Sequence, residues 1–241
     1  MSAPVVHCIT NTVTSARVAD ALASLGIAPI LASDIAEAAD VARRASALVL
    51  NCGTPTAARF DAMRAAADAA SAAGVPIVLD PVGCGATRWR TDRIRGIAAA
   101  RRIAVVRGNV AEVASLASLP SGPVLHGVTA ARADPETVER VAVDASQALG
   151  TIVLATGHGH DVIAGDDVAL RVQVGVDVLG QVVGAGDVLS ALVGAFLARG
   201  RGPRDAATDA HAAFASSARS ARACGPGSFW PAFIDALASH G

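Results

Sequence analysis

Residues 183–187, Val-Gly-Ala-Gly-Asp, followed by the apolar run 188–198, bring together the residue types that phosphoryl transfer to an alcohol requires. Two glycines let the backbone turn tightly with its N–H groups outward at a helix N-terminus, so Gly184, Ala185 and Gly186 form a cradle for phosphate oxygens. Asp187 stands beside that cradle. A carboxylate there can take the hydroxyl proton while backbone donors neutralise charge on the transferred group. The competing use of Asp187 is as a cap for the first turn of its own helix.

Two further carboxylates suit a divalent cation. Asp80 ends a strongly apolar segment, and Glu112 follows Arg107-Gly-Asn-Val-Ala, in the first turn of the next helix. Mg²⁺ keeps several waters and needs only one or two carboxylates plus substrate phosphates. Locally, Glu112 could instead complement a helix N-terminus, and Asp80 could belong to a turn before Pro81. Arg107 closes an apolar strand, where a guanidinium without a partner is costly; a phosphate is one partner, Glu112 another.

The elements that must position these groups follow from hydrophobic patterning. Short runs rich in Val, Ile and Leu alternate with long Ala-rich stretches, the pattern of parallel strands buried on both faces by helices, and the class is α/β. Strands are predicted at 5–9, 29–31, 47–51, 76–80, 103–107 and 151–155, and helices at 15–25, 34–44, 56–73, 134–149, 187–199, 204–223 and 230–239. Segments 161–165 and 168–174 read as an antiparallel hairpin at the sheet edge. Residues 118–123 and 129–135 read as surface loops. Ligands of open α/β sheets bind beyond the carboxyl ends of the strands. Those ends carry Thr10-Asn11, Asn51-Cys52-Gly53-Thr54, Asp80-Pro81-Val82-Gly83, Arg107-Gly108-Asn109 and Thr156-Gly157. Of these, Asn109 is assigned to the nucleotide site and Gly53 to the alcohol site.

Composition narrows the field. A chain of 241 residues fits one α/β domain spanning 1–241. The run 188–198 falls short of the roughly 20 residues that span a bilayer, and the first residues lack a signal-peptide pattern, so a cytoplasmic protein is expected. The net charge is −1 and the arginines are scattered, leaving no footprint for nucleic acid. All 20 basic residues are Arg. Without a lysine, Schiff-base chemistry and a Walker A phosphate loop are excluded. Cys8, Cys52, Cys84 and Cys224 form no CxxC pair and read as buried free thiols.

Taken together, His7-Cys-Ile-Thr-Asn11, Asn51-Cys-Gly-Thr54, Asp80-Pro-Val-Gly-Cys-Gly-Ala-Thr87 with Arg90 beyond, Arg107-Gly-Asn-Val-Ala-Glu112, Thr156-Gly157, Gly184-Ala-Gly-Asp187 and Gly225-Pro-Gly-Ser-Phe229 resemble the hydroxyethylthiazole kinases of thiamin salvage. The resemblance spans nearly the whole chain. It implies a ribokinase-like three-layer α/β/α sandwich with a mostly parallel central sheet, and an enzyme that phosphorylates the thiazole's hydroxyethyl group with ATP. By the same resemblance Asn11, Val13, Leu31 and Gly184 contact the thiazole, Arg107 and Thr156 hold ATP, and Asp80 and Glu112 position Mg²⁺. The family is typically a homotrimer with sites between subunits. Departures are Leu31 where Met is common, Val183 for Thr, Asp20 for Asn, and Asp187 where many members carry Cys and other ribokinase-like enzymes carry Asp.

Other readings are a kinase of another vitamin-precursor alcohol such as a hydroxymethylpyrimidine, and a nucleotide-binding sensor without activity. His158-Gly-His160-Asp161 offers zinc-type ligands, although side chains at i and i+2 on a turn are usually solvated. Neither Gly83-Cys-Gly85 nor Gly184-Ala-Gly186 continues to the third glycine of a dinucleotide fingerprint.

Overall fold

The computed structural model describes residues 3–99, 101–119, 133–157, 159–165, 168–223 and 225–241. Its strands are β1 (Val5–Ile9), β2 (Ala28–Ile30), β3 (Ala47–Asn51), β4 (Ile77–Asp80), β5 (Ile103–Asn109), β6 (Ile152–Thr156), β7 (Asp161–Gly165) and β8 (Val168–Val172). They form one sheet in the order β2-β1-β3-β4-β5-β6-β7-β8. Strands β1 to β6 pair in parallel, and β7 and β8 add antiparallel at one edge. The helices are α1 (Ser15–Ser24), α2 (Ala38–Ala42), α3 (Ala57–Ala73), α4 (Arg88–Ala99), α5 (Val110–Leu116), α6 (Pro135–Leu149), α7 (Ala185–Ala198), α8 (Pro203–Ser220) and α9 (Phe229–Leu237).

Alternation along the strands divides the core in two. Ala47 and Val49 of β3 join Val6, Cys8 and Val78 beneath α1, α7, α8 and α9. Leu48 and Leu50 join Ile9, Ile77 and Leu79 beneath α2 to α6. The result is a three-layer α/β/α sandwich with a mostly parallel central sheet, as expected. No helix among the described residues is long and apolar enough to cross a membrane.

Helix α7 explains the apolar run 188–198. Residues Val188 to Ala195 are all buried, as expected of a helix apolar on every side. A Cβ on Gly194 would lie 2.5 Å from Val49 Cγ2, so glycine lets α7 settle directly on β3. That close approach fixes the first turn of α7, and Asp187 with it, against the strand ends.

The structure corrects several element assignments. The helix predicted at 34–44 is confined to Ala38–Ala42. The outer strand of the hairpin stops at Val172. Helix α9 starts one residue early and gives way after Leu237 to a 3₁₀ turn. Helix α4 goes unpredicted, and α5, whose first turn is expected at Glu112, is given no bounds by the sequence reading. α4 is rich in arginine and buries only Thr91, Ile94 and Ile97, while α5 has seven residues and leaves β5 without an intervening loop. Residues 120–132, which hold most of the two assigned loops, lie outside the described residues, as do Cys224 and His158. Cys8, Cys52 and Cys84 are buried free thiols, and burial pushes Cys8 up to about 12.

Candidate active site

The strand order reverses direction between β1 and β3, the switch point where open α/β sheets bind their ligands in the crevice beyond the strands' carboxyl ends. Asn11 follows β1, Asn51 ends β3, and Asp187 reaches both from α7. Asp187 Oδ1 accepts from Asn51 Nδ2 at 2.8 Å. Its Oδ2 accepts from Asn11 Nδ2 at 2.9 Å and from Thr14 Oγ1 at 2.5 Å. The carboxylate is therefore turned toward the strand ends and does not cap its own helix, whose N-cap is Gly184 with no side-chain cap. A carboxylate offers about four lone-pair sites. Oδ2 has two filled and Oδ1 one, so Oδ1 keeps a site open for an incoming hydroxyl.

The cradle before Asp187 is built as the glycines suggest. Gly184 takes φ +94°, and a Cβ there would lie 2.5 Å from Thr14 Cγ2. A Cβ on Gly186 would lie 2.1 Å from Arg107 Nη1. Arg107 thus lies directly beneath the loop. Its Nη2 donates to Thr156 Oγ1 at 3.0 Å, and its Nη1 is 3.8 Å from Asp80 Oδ2. Arg107 pairs with Asp80 rather than with Glu112, its sequence-based rival partner. Its Nε is buried without a partner.

Asn51 links the two aspartates, giving one N–H to Asp187 and the other to Asp80 Oδ2 at 3.0 Å. Ser190 Oγ donates to the same Asp80 oxygen at 2.7 Å. Asp80 Oδ1 is buried and has no partner. Burial pushes the Asp80 carboxyl up to about 7; Arg107 and the Ser190 hydrogen bond oppose the rise, and Glu112 and Asp187 add to it.

Glu112 and Asn109 form a capping box on α5. Asn109 Oδ1 accepts from the N–H groups of Ala111 and Glu112, both at 3.0 Å. Glu112 Oε2 accepts from Asn109 N at 3.0 Å, and its Oε1 from Gly83 N at 2.8 Å. These two residues thus cap the N-terminus of α5, and Glu112 also ties the loop after β4 to α5. Among the described residues no group of three or more His, Cys, Asp or Glu could hold a metal ion. His160 bonds Gln173, and Asp161 pairs with His211 at 2.9 Å, while His158, the other ligand of the zinc reading, lies outside the described residues.

Gly53 sits beside Asn11, where a Cβ would lie 2.9 Å from Asn11 Cβ. Val13 donates its N–H to Asn11 Oδ1 at 2.9 Å and leaves its side chain 64% exposed. Leu31 lies beyond the end of β2, partly buried, and takes no part in the hydrogen-bonded cage. The sequence places Asn51 among the polar strand ends without a specific role, and assigns none to Thr14 or Ser190. A serine inside the apolar run 188–198 and an asparagine closing the apolar strand 47–51 were the available signals; Thr14 offered none.

A profile of the hydroxyethylthiazole kinase family matches residues 1–240. The hydroxyethylthiazole kinase of Rubrobacter xylanophilus is 38% identical over 240 residues, covering 98% of this chain and 87% of that protein. The thiamine biosynthesis bifunctional protein ThiM/ThiE of Symbiobacterium thermophilum is 38% identical over 253 residues and 99% of this chain, which spans about half (52%) of that longer protein. The solved structure of the Pyrococcus horikoshii hydroxyethylthiazole kinase superposes with a TM-score of 0.87 at 34% identity, covering 98% of this chain and 88% of the other. The chain, with its caged Asp187 facing a glycine cradle, belongs to the hydroxyethylthiazole kinase family.

Proposed function

We propose that this protein, acting as a single kinase domain, phosphorylates the hydroxyethyl group of 4-methyl-5-(2-hydroxyethyl)thiazole with ATP, and that Asp187 is the general base. The observation that carries this reading is the open acceptor site on Asp187 Oδ1 beside an α7 N-terminus that no side chain caps. The hydroxyl proton passes to Oδ1 as its oxygen attacks the γ-phosphorus, while the N–H groups of Ala185 and Gly186 receive phosphate oxygens. Asn11, Thr14 and Asn51 hold the base in place. Asn11, Val13, Leu31, Gly53 and Gly184 line the alcohol side, and Arg107, Thr156 and Asn109 the nucleotide side.

A Mg²⁺ ion fits Asp80, whose Oδ1 is buried without a partner and whose carboxyl is poorly satisfied as an anion. Glu112, engaged with two backbone N–H groups but with lone pairs remaining, is its companion. Held there by Asp80 and Glu112, such an ion would offset the charge of the phosphates. The homotrimer follows from the family resemblance, in which another copy covers the alcohol; Val13 and Val183, the latter 61% exposed, would lie beside that contact.

Incubating the purified protein with ATP, Mg²⁺ and a panel of alcohols, with mass detection of phosphorylated products, tests the substrate. Hydroxyethylthiazole is expected to gain one phosphoryl group, and hydroxymethylpyrimidine not. Turnover of another alcohol with none of the thiazole would reassign the enzyme. Arg107→Ala is expected to raise the KM for ATP roughly 10- to 100-fold, the cost of one or two charged hydrogen bonds. Unchanged ATP dependence in a folded variant removes Arg107 from the nucleotide site.

A further inference from the structure

Arg90 lies in the first turn of α4, a turn with no acidic residue. A cation there meets the positive end of the helix dipole, which disfavours it. The neighbouring arginines have partners: Arg88 pairs with Asp92, Arg93 with Asp61, and Arg95 donates to the carbonyl of Ser115. Among the described residues the guanidinium of Arg90 makes no ion pair and no hydrogen bond; only its backbone N–H is engaged, with Thr87 Oγ1 at 3.2 Å.

The half-buried guanidinium is folded over Gly83 in the loop after β4. A Cβ on Gly83, which has φ +75°, would lie 1.9 Å from Arg90 Nη1 and 3.0 Å from Cζ. The N–H of the same glycine is held by Glu112. Burial and then Asp80 push up the Cys52 thiol at the end of β3, and the charge of Arg90 opposes them, so its field reaches the crevice. Arg107 and Arg90 are built alike. Each lays a guanidinium on a glycine that has no room for a side chain, Arg107 beneath Gly186 and Arg90 over Gly83. Arg107 meets the loop that opens α7, and Arg90 comes from α4 in the opposite helix layer.

A half-buried guanidinium without a counter-charge is costly, and its planar fork matches phosphoryl oxygens. We propose that Arg90 is a further catalytic residue, which clamps the phosphoryl group as it leaves ATP and retains it on the ester product; this rests on the kinase reading above. In the transfer, the alcohol oxygen bonds to the γ-phosphorus as the bond from that phosphorus to the β–γ bridging oxygen breaks. The bridging oxygen leaves with the electron pair as part of ADP, and the hydroxyl proton goes to Asp187. Arg90 donates N–H groups to the transferred oxygens and exchanges no proton.

The test compares binding of hydroxyethylthiazole and of its phosphate ester by calorimetry in wild type, Arg90→Gln and Arg90→Lys, with steady-state kinetics on the same preparations. In Arg90→Gln the Kd of the ester is expected to rise roughly 10- to 100-fold, the loss of a charged bond to phosphate, while the Kd of the free alcohol stays put. The kcat falls with little change in the KM for the alcohol, and Arg90→Lys recovers part of both losses. Should the Gln variant melt early, Arg90→Met supplies the same neutral comparison. Equal ester affinity in wild type and a folded neutral variant overturns the proposal, and so does equal weakening of alcohol and ester. A wild type that phosphorylates no alcohol and binds neither compound refutes the kinase reading itself, an outcome distinct from either of these.

Discussion

Asp187→Asn is expected to lower kcat by about 10² to 10⁴, the usual contribution of a positioned proton acceptor, while both substrates still bind. The variant keeps the shape of the side chain and removes its ability to take a proton. Asn11, Thr14 and Asn51 all donate to the native carboxylate. An amide can match only some of those donors: its oxygen faces one side, and Thr14 must reverse its hydroxyl to accept from the other. One hydrogen bond is thus lost, worth about 1 kcal/mol, or about 2–4 °C in melting temperature for a chain of this size. A purely structural aspartate would give that small shift with near-normal turnover. Measuring kcat and melting temperature on one preparation separates the two, and full turnover in the Asn variant removes Asp187 as the base.

The sequence makes the strand ends legible because burial on both faces forces β1, β3, β4 and β6 to be nearly continuous apolar runs, and polar residues at their ends stand out. Hence Asn11, Asp80 and Thr156 stand out in the sequence as polar residues at strand ends. The glycine loop was legible for a related reason: Gly184, Gly186 and Asp187 precede a helix too apolar to be anything but buried. What stayed hidden depends on long-range geometry. Thr14 touches Asp187 across more than 170 positions of sequence, and no local pattern announces that. Arg107 has its partner in Asp80 because β4 and β5 are neighbours, not because of sequence spacing. Asn109 and Glu112 show a different limit: the N-x-x-E pattern before an apolar stretch signals a capping box, and Glu112 is expected in the first turn of a helix, but a seven-residue element is too short for its bounds to be read from periodicity.

Asp80→Asn is expected to cut kcat by 100-fold or more, on the order of 3 kcal/mol of lost charge stabilisation, while making the ligand-free protein more stable at alkaline pH. The stability half follows from proton linkage. The Asp80 carboxyl is pushed up to about 7 in the folded protein, burial being the largest cause, from an ordinary value near 3.8. Between those two values the folded state holds a proton that the unfolded state has released. The contribution of this group is therefore intact below about pH 4, falls as pH rises toward 7, and stays low above it. Asparagine removes the charge and with it the slope. Its oxygen can still accept from Ser190 and Asn51, the two donors that reach Oδ2. Without Mg²⁺ the melting temperature of the variant should thus exceed that of wild type at pH 8 by several degrees, with the gap closing toward pH 5. Added Mg²⁺ should raise the wild-type value at pH 8 and leave the variant unmoved, because a cation that pairs with Asp80 supplies the counter-charge that its buried Oδ1 lacks. Parallel melting curves for the two proteins across this pH range would show that Asp80 carries no stored electrostatic cost, and a variant with normal turnover would free it from any part in the reaction.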